Sequence, residues 1–427
     1  MYYPVWKVFY FMQDQELIPT LFRTEYRKIT AVLSKLFGLE HIEIAEDIVS
    51  DTFLLATETW GFKGSPENPT AWLYTVSKNR TKDYLKRNAL FYQQIAKDIK
   101  YSSSKHEELE IDLSPENIVN SQLQMMFAIC HPSISTEAQI GLSLRILCGF
   151  GIEEIADAFL TNKETINKRL YRAKETLRIK NVKIVFPGKA EMNMRIDTVL
   201  ATLYLMFNEG YYSQSQSQTI RKDLCIEAMR LVYLLQENKP TNTPNVNALL
   251  SLMCFHSSRF DARTNDKGEL ILYNDQDTSL WSKELIEKGS LCLNEAATGS
   301  KISKYHLESA IAYWHTHKTD TNEKWGNILQ HYNQLLQMEY SPMAALNRTF
   351  ALSKVIGKEE AVVEAEKLNL TGNQLYHSLL GYLFTGLDTD KALKHYQQAL
   401  TFAKTENDKT TIINKINNLK AGKQCLS

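Results

Sequence analysis

The sequence predicts an all-α protein with more than one domain. Ten prolines and seventeen glycines among 427 residues are few, which favours long helices. Apolar residues recur with helical spacing in many segments, and a chain of this length is expected to hold two or three domains. An apolar share of 44% supports a well-formed core in each.

Charge and cysteine content restrict the function. The net charge is zero, which argues against strong unaided binding to DNA, because phosphate contacts dominate that affinity. The six cysteines form no CxxC pair, so we expect buried reduced thiols of a cytosolic protein. The apolar opening is too short to span a membrane and has no cleavage site. We expect a cytoplasmic protein without a metal or other cofactor.

Residues 14–88 are predicted to form three or four helices, and the second has an acidic face. An inward apolar stripe consists of Ala45, Ile48, Val49, Thr52 and Ala56. Another face carries Glu43, Glu46, Asp47, Ser50, Asp51 and Leu54. This face is either solvated surface or a docking surface for a basic coiled coil.

The next helix follows a loop of irregular composition, GFKGSPENP. Its core contacts are predicted to be Trp72, Leu73, Val76 and Tyr84. Its polar side carries Lys78, Asn79, Lys82, Lys86 and Arg87. Arg80 and Asp83 are spaced to pair with each other. A basic helix beside aromatic residues suits single-stranded DNA, although alone this is weak evidence.

The segment from Gly149 to Arg178 predicts two amphipathic helices joined by a tight turn, with Asn162 as an N-cap. The first helix has an apolar stripe of Ile152, Ile155, Ala156 and Phe159. The second has Ile166, Leu170, Ala173 and Leu177. From Lys163 to Lys189 there are nine basic residues against two acids. The pattern fits a DNA-binding helix-turn-helix, and a plain amphipathic hairpin is the alternative.

The remainder after Pro187 is predicted to be mostly helical. Ala361, Ala365 and Leu368 recur as Ala392, Tyr396 and Ala399, and Leu346 and Leu380 are 34 residues apart. The pattern is typical of a tetratricopeptide-like repeat, with a plain helical bundle as the alternative.

Several polar residues before this repeat are candidates for chemistry. Asn265 to Gly268 predict a turn flanked by short extended runs. Nearby carboxylates are Asp261, Asp266, Glu269, Asp275 and Asp277. Their spacing fits no calcium loop, so capping and turn roles are expected. Glu209 and His256 are also candidates, but core or helix-end roles are favoured.

In this order and spacing, AEDIVSDTF, NPTAWLYTVSKNRTKDYLKR and EEIADAFLTNKETINKRLYRAKETLR resemble an extracytoplasmic-function sigma factor of the sigma-70 family. The FNEGY and DQDxxxW stretches are similar to the group with a fused C-terminal tetratricopeptide-like extension. Leu160 departs from the usual turn glycine, and Asn162-Lys163-Glu164 departs from the usual Ser-x-Gly.

The resemblance implies five parts. These are sigma region 2 over residues 13–90, a linker over 91–120, a region 4 helix-turn-helix over 121–183, a helical extension over 190–340, and tetratricopeptide-like repeats over 341–420. The fold class is then a region 2 helical bundle, a helix-turn-helix and a C-terminal helical domain.

The resemblance also implies the site residues. The residues implied to bind polymerase are Glu43, Glu46, Asp47, Asp51 and Leu54. Those implied to bind the promoter −10 element are Lys63, Asn68, Lys78, Asn79, Lys82 and Arg87. Those implied to bind the −35 element are Glu164, Thr165, Asn167, Lys168, Arg169 and Arg172. Of these, the two arginines, together with Lys174, are better placed for phosphates than for base edges.

The implied function is promoter-specific transcription initiation without catalysis. The implied partners are core RNA polymerase, through its β′ clamp helices and β flap, and promoter DNA, with an intramolecular contact of the extension to the sigma core. The alternative is a helix-turn-helix regulator that binds DNA without polymerase and carries a tetratricopeptide-like sensor domain. An enzyme targeted to DNA is disfavoured, because no nucleophile–base pair, phosphate loop or metal spacing is recognisable.

Overall fold

A computed structural model describes residues 17–88, 110–159, 161–211, 221–263, 271, 273–403 and 406–424. These residues form helices joined by turns, and these ranges contain no β-strand. The predicted all-α class is therefore confirmed. None of the described helices is long and apolar enough to cross a bilayer.

The chain divides into two compact units. The first comprises Met1–Gly210 and Ile226–Thr241, and the second comprises Tyr211–Cys225 and Asn242–Ser427. The five-part division predicted from the sequence stays a prediction.

The first unit begins with three helices: α1 (Leu17–Phe37), α2 (Ile42–Lys63) and α3 (Pro69–Arg87). They share an apolar core that includes Val49 and Leu73. The Asn68 side chain caps α3 by accepting a hydrogen bond from the Ala71 amide at 3.0 Å. The expected Arg80–Asp83 pair is wrong, because α3 packs against α2 and brings Arg80 within 3.1 Å of Asp51.

The next helix, α4 (Pro115–Ile129), begins inside the segment predicted as linker. Ser114 caps it by accepting a hydrogen bond from the Asn117 amide, and Pro115 suits a first helical position. Ile111, Leu113 and Ile118 join the core of α1–α3. Burial of these apolar side chains fixes the end of the linker against the helical bundle.

The two helices predicted on either side of Asn162 are α6 (Ile152–Ala158) and α7 (Lys163–Ile179), after α5 (Thr136–Leu142) and a π-helical turn over Ser143–Leu147. Their assignment as a DNA-binding helix-turn-helix stays a prediction. Asn162 is confirmed as the N-cap, because its side chain accepts from the Thr165 amide at 2.8 Å. The apolar stripe of α7 is buried as predicted. The departure at Leu160 lies outside the described residues.

Two further helices, α8 (Lys189–Tyr211) and α9 (Lys222–Glu237), lie largely in the first unit. The Thr202 hydroxyl of α8 donates to the Gln139 side chain at 2.7 Å, and Arg230 of α9 donates to the Leu147 carbonyl at 2.7 Å. These bonds satisfy polar groups of α5 and of the π-helical turn. Residues beyond the predicted region 4 therefore complete the first unit.

The second unit contains the remaining helices. They are α10 (Pro244–Ser257), α11 (Lys283–Ala296), α12 (Lys304–Trp314), α13 (Asn322–Met338), α14 (Pro342–Val355), α15 (Lys358–Leu368), α16 (Gln374–Phe384), α17 (Thr389–Phe402) and α18 (Glu406–Gln424). From α12 onward each helix packs against the next. At one crossing, a Cβ on Gly381 would lie 2.8 Å from the Tyr396 ring, so glycine permits the close approach.

The segment between α10 and α11 is described in part. Its described stretches include the 3₁₀ turns Phe260–Ala262, Tyr273–Asp275 and Thr278–Leu280. Most residues directly beside the predicted turn lie outside the described ranges, so the extended runs stay a prediction. Asn265 to Gly268, like Asp266 and Glu269, lie outside the described residues. Asp277 has the predicted capping role, because its carboxylate accepts from the Ser279 amide at 2.8 Å.

The sequence predicts that the cysteines are buried reduced thiols. All five described cysteines are buried and none of them forms a disulfide, as expected, and Cys425 lies outside the described residues. Within the described ranges, no three His, Cys, Asp or Glu side chains are grouped to hold a metal ion.

Candidate protein and nucleic-acid interfaces

The acidic face of α2 is largely open to solvent. Glu43, Asp47, Asp51 and Leu54 are exposed, and Leu54 is 58% exposed despite its apolar side chain. An exposed leucine among carboxylates is consistent with a docking surface, where a small apolar contact is ringed by charge.

Glu46 is the exception on this face, because it is only 7% exposed. Arg145 donates to one carboxylate oxygen at 2.8 Å, and Lys174 of α7 donates to the other at 2.8 Å. Lys174 also lies 3.2 Å from Glu43. The structure therefore joins two of the predicted polymerase-binding residues to the helix that carries the predicted −35 residues.

Partial burial makes these ion pairs stronger than surface pairs. Burial by itself lowers the pKa of Lys174, but the carboxylates of Glu46 and Glu43 outweigh it and raise that pKa. The pKa of Arg145 is likewise raised, since Glu46 outweighs burial. Both cations stay charged, and each depends on Glu46.

The predicted −10 residues lie on two separate stretches. Lys63 is the exposed last residue of α2, and Asn68 is committed to capping α3. On α3 itself, Asn79 and Arg87 are exposed, while Lys78 and Lys82 are partly buried. Together these side chains form a polar face of α3 that solvent can reach.

Phe62 belongs to the predicted loop GFKGSPENP, which the resemblance assigns to the −10 element, and it lies in the last turn of α2. Its side chain, next to that of Lys63, is 94% exposed. An aromatic ring held in solvent beside lysine can stack on an unpaired base. The signal available in the sequence was a phenylalanine between Gly61 and Gly64, where no helical apolar stripe needs it.

The predicted −35 residues lie on the outer face and the start of α7. Glu164, Asn167, Lys168 and Arg172 are exposed, and Thr165 is partly buried. Arg169 is also partly buried, with its guanidinium 5.2 Å from the centre of the Phe159 ring. Lys168, Arg169 and Arg172 line a cleft of about 460 Å³ whose other wall includes Ser133 and Ser135.

Two other candidates have structural surroundings. Burial raises the pKa of Glu209. His256 lies in α10, and its Nδ1 is 3.1 Å from the Tyr211 hydroxyl. Burial first, and then the nearby arginines, lower the pKa of His256, so its ring is neutral.

Comparison with protein families finds two matches. Residues 21–90 match Sigma-70 region 2, which covers α1–α3 and the acidic face of α2. Residues 195–297 match DUF6596, a family of unknown function. The first part of the chain is thus similar to sigma-70 region 2.

Two curated proteins are similar to the chain. An uncharacterized protein of Rhizobium meliloti (strain 1021) is 29% identical over 389 residues, which cover 89% of this chain and 91% of that protein. The RNA polymerase sigma-H factor of Pseudomonas aeruginosa is 22% identical over 178 residues, covering 39% of this chain and 92% of that factor. No solved structure matches the chain.

Proposed function

We propose that this protein is an RNA polymerase sigma factor of the extracytoplasmic-function type that directs promoter-specific initiation. The supporting observation is that α2, inside the matched sigma-70 region, presents Asp47, Asp51 and Leu54 to solvent. The zero net charge fits this role, because the polymerase supplies most of the electrostatic attraction for DNA. The protein itself carries out no catalysis.

In this proposal α2 binds the β′ clamp helices, and region 4 binds the β flap and the −35 element. The loop with Lys63 and Asn68 and the polar face of α3 bind the −10 element. Lys168 and Arg172 of α7 face duplex DNA. The exposed positions of these side chains support the assignment.

The C-terminal helices form a regulatory domain of tetratricopeptide-like repeats in this proposal. Successive packing of α14–α17 and the glycine-to-tyrosine crossing at Gly381 support the repeat interpretation. Covalent fusion gives any contact of this domain with the sigma part a high effective concentration. Such a contact is part of the proposal.

The test is reconstitution of the full chain with core polymerase. Copurification and transcription from a promoter pool are measured for the wild type, for Asp47→Lys and for Glu116→Lys. Asp47 lies on the proposed docking face, whereas Glu116 is an exposed acid in the first turn of α4. We expect Asp47→Lys to weaken polymerase binding by roughly tenfold, as for a like-charge contact across an interface, and Glu116→Lys to bind as the wild type does.

Two results would contradict the proposal. If the wild type does not bind core polymerase but binds specific duplex DNA, the protein is a polymerase-independent regulator. If Asp47→Lys binds core polymerase normally, the docking face is not on α2.

A further inference from the structure

The second unit contains a buried arginine that has no counter-ion among the described residues. Arg259 follows α10 and is 8% exposed. Its guanidinium carbon lies 5.6 Å from the centre of the Tyr273 ring and 6.0 Å from that of Trp281. Within the described part of the chain Arg259 forms no ion pair and no side-chain hydrogen bond, and its Nε atom is buried without a partner.

This arrangement is costly unless another group completes it. Removing a charged group from water is costly even after the surroundings relax. A cation–π contact recovers only part of that cost. The two rings therefore do not replace the hydrogen bonds that the guanidinium loses, and an anion at its free edge would do so.

The nearby carboxylate is engaged elsewhere. Lys324, also buried at 1% exposure, lies 5.2 Å from the centre of the same Tyr273 ring. It donates to the Tyr273 hydroxyl at 3.2 Å and to the His317 carbonyl at 2.6 Å. Asp320 lies 3.8 Å from Lys324 and 3.0 Å from Lys354. Among the described residues, these contacts leave the charge of Arg259 without a paired carboxylate.

Three more buried polar atoms near Tyr273 have no hydrogen-bond partner in the part of the chain that the structure describes. They are Nε1 of Trp281, Nδ1 of His315 and Oε1 of Gln276. The rings of Trp281 and His315 lie 6.2 Å and 5.4 Å from the Tyr273 ring. Gln276, 4% exposed, uses its amide nitrogen to donate to the Ile271 carbonyl at 3.3 Å, which leaves its oxygen free.

The ring of His315 adds no positive charge. Burial first, and then the charges of Arg259 and Lys324, lower the pKa of His315 to about 3. It is neutral at physiological pH and can act as a donor or an acceptor. The unsatisfied set around Tyr273 is thus one cation, one indole donor, one imidazole and one amide acceptor.

We propose that the Arg259 cluster binds a small organic carboxylate with a flat body. The cluster consists of Arg259, Tyr273, Gln276, Trp281 and His315. A carboxylate supplies the one negative charge that Arg259 lacks and accepts two parallel hydrogen bonds along the Nε–Nη edge of a guanidinium. The indole of Trp281 offers a further donor, and Oε1 of Gln276 accepts from a hydroxyl or amine of the ligand. The aromatic faces of Tyr273 and Trp281 suit a planar body.

Under this proposal, the part of the DUF6596 match that contains Arg259 binds a ligand. The cluster lies wholly in the second unit and uses none of the residues proposed to bind polymerase or DNA. Carboxylate binding and transcription initiation are therefore separate properties, and either can fail without the other.

The test measures binding of benzoate, acetate and inorganic phosphate to the full chain. Thermal unfolding and calorimetric titration are recorded for the wild type, for Arg259→Gln and for Arg263→Gln. Arg263 is a matched control, because it also stacks on a ring, that of Tyr211 at 4.1 Å, but lies outside the cluster. We expect saturable benzoate binding that is roughly 10- to 100-fold weaker in Arg259→Gln, the loss typical of a hydrogen bond to a charged group.

Three outcomes would overturn the proposal. They are no saturable binding of either carboxylate at millimolar concentration, equal binding by Arg259→Gln and the wild type, and binding of phosphate alone. If Arg259→Gln does not fold, Arg259→Lys replaces it. That variant keeps the charge but not the two-point geometry, so it should bind benzoate about tenfold more weakly, and unchanged binding would equally reject the proposal.

Discussion

Glu46 has a structural role that its place in an acidic sequence does not suggest. Its neighbours Glu43 and Asp47 are exposed, whereas Glu46 holds Arg145 and Lys174 at 2.8 Å each. A residue that would be taken for one charge among several on a surface is thus the shared acceptor of two partly buried cations. The same side chain is among those proposed to bind polymerase, so binding through Glu46 requires these bonds to open.

Glu46→Gln should therefore destabilise the first unit. Loss of the carboxylate removes the counter-ion of Arg145 and one of the two carboxylates beside Lys174, which costs about 3 kcal/mol for a buried pair. Denaturant unfolding of the full chain measures the change. Glu153→Gln is the control, because the Glu153–Lys163 pair is exposed on both sides and such pairs contribute about 1 kcal/mol or less. Equal effects of the two variants would mean that Glu46 does not stabilise the fold.

At the scale of elements, α7 has three faces with different tasks. Its apolar stripe is buried, Lys174 binds the carboxylates of α2, and Lys168 and Arg172 are exposed. The cap at Asn162 is local and fixes where the helix starts. Because the basic residues point in different directions, their substitutions should separate stability from DNA binding.

Lys168→Ala and Arg172→Ala should reduce promoter use without changing the affinity for core polymerase. Under the proposed function, each loses a contact with duplex DNA worth about 1 to 3 kcal/mol. Transcription from a −35-dependent promoter and copurification with core polymerase are the two measurements. Lys301→Ala, an exposed lysine of the second unit, should change neither. Unchanged transcription in both α7 variants would remove α7 from the DNA interface.

Helix α9 is joined to α1 by a partly buried cluster of charged side chains. Glu227 accepts from Arg27 of α1 and, at 2.8 Å, from Arg230 of its own helix. Burial alone raises the pKa of Glu227, but the two arginines outweigh it, and the net pKa is lowered. The carboxylate thus stays charged and holds the two helices together.

The stability of the first unit should consequently fall in acid. A lowered folded-state pKa stabilises the fold fully above the unfolded value, near 4.3 for glutamate. This contribution is lost as the pH falls from about 5 through the folded-state pKa. Unfolding free energies measured between neutral pH and pH 3 test this. Glu227→Gln should be less stable at pH 7 and show a shallower decline, and an unchanged slope would exclude Glu227 as a source of it.

At the scale of the whole molecule, the first compact unit does not end where the predicted region 4 ends, because it also includes residues 184–210 and Ile226–Thr241. Arg195 of α8 donates to the Phe127 carbonyl of α4, and Arg230 of α9 donates to the Leu147 carbonyl. Val199, Leu200 and Leu203 of α8 are fully buried. The helices that follow the predicted end of region 4 thus satisfy and cover groups of the first unit.

A chain that ends at Lys189 should unfold more readily than one that ends at Thr241. The shorter chain exposes the apolar surface under α8 and leaves the carbonyls of Phe127 and Leu147 without their partners, a loss of several kcal/mol. Circular dichroism during thermal unfolding compares the two. Equal melting temperatures would show that α8 and α9 are dispensable for the first unit. The longer chain is also the better background in which to test whether the C-terminal helices regulate transcription.

The sequence by itself determined the all-α class, the caps at Asn162 and Asp277, and the buried stripe of α7. Each depends on residues within a few positions of one another, where helical geometry determines which side chains are neighbours. Only the tertiary structure decided that Arg80 pairs with Asp51 and that Glu46 is covered. It also brought Arg259 to Tyr273 and Trp281. These contacts join distant segments, and their partners are chosen by which faces pack together rather than by spacing along the chain.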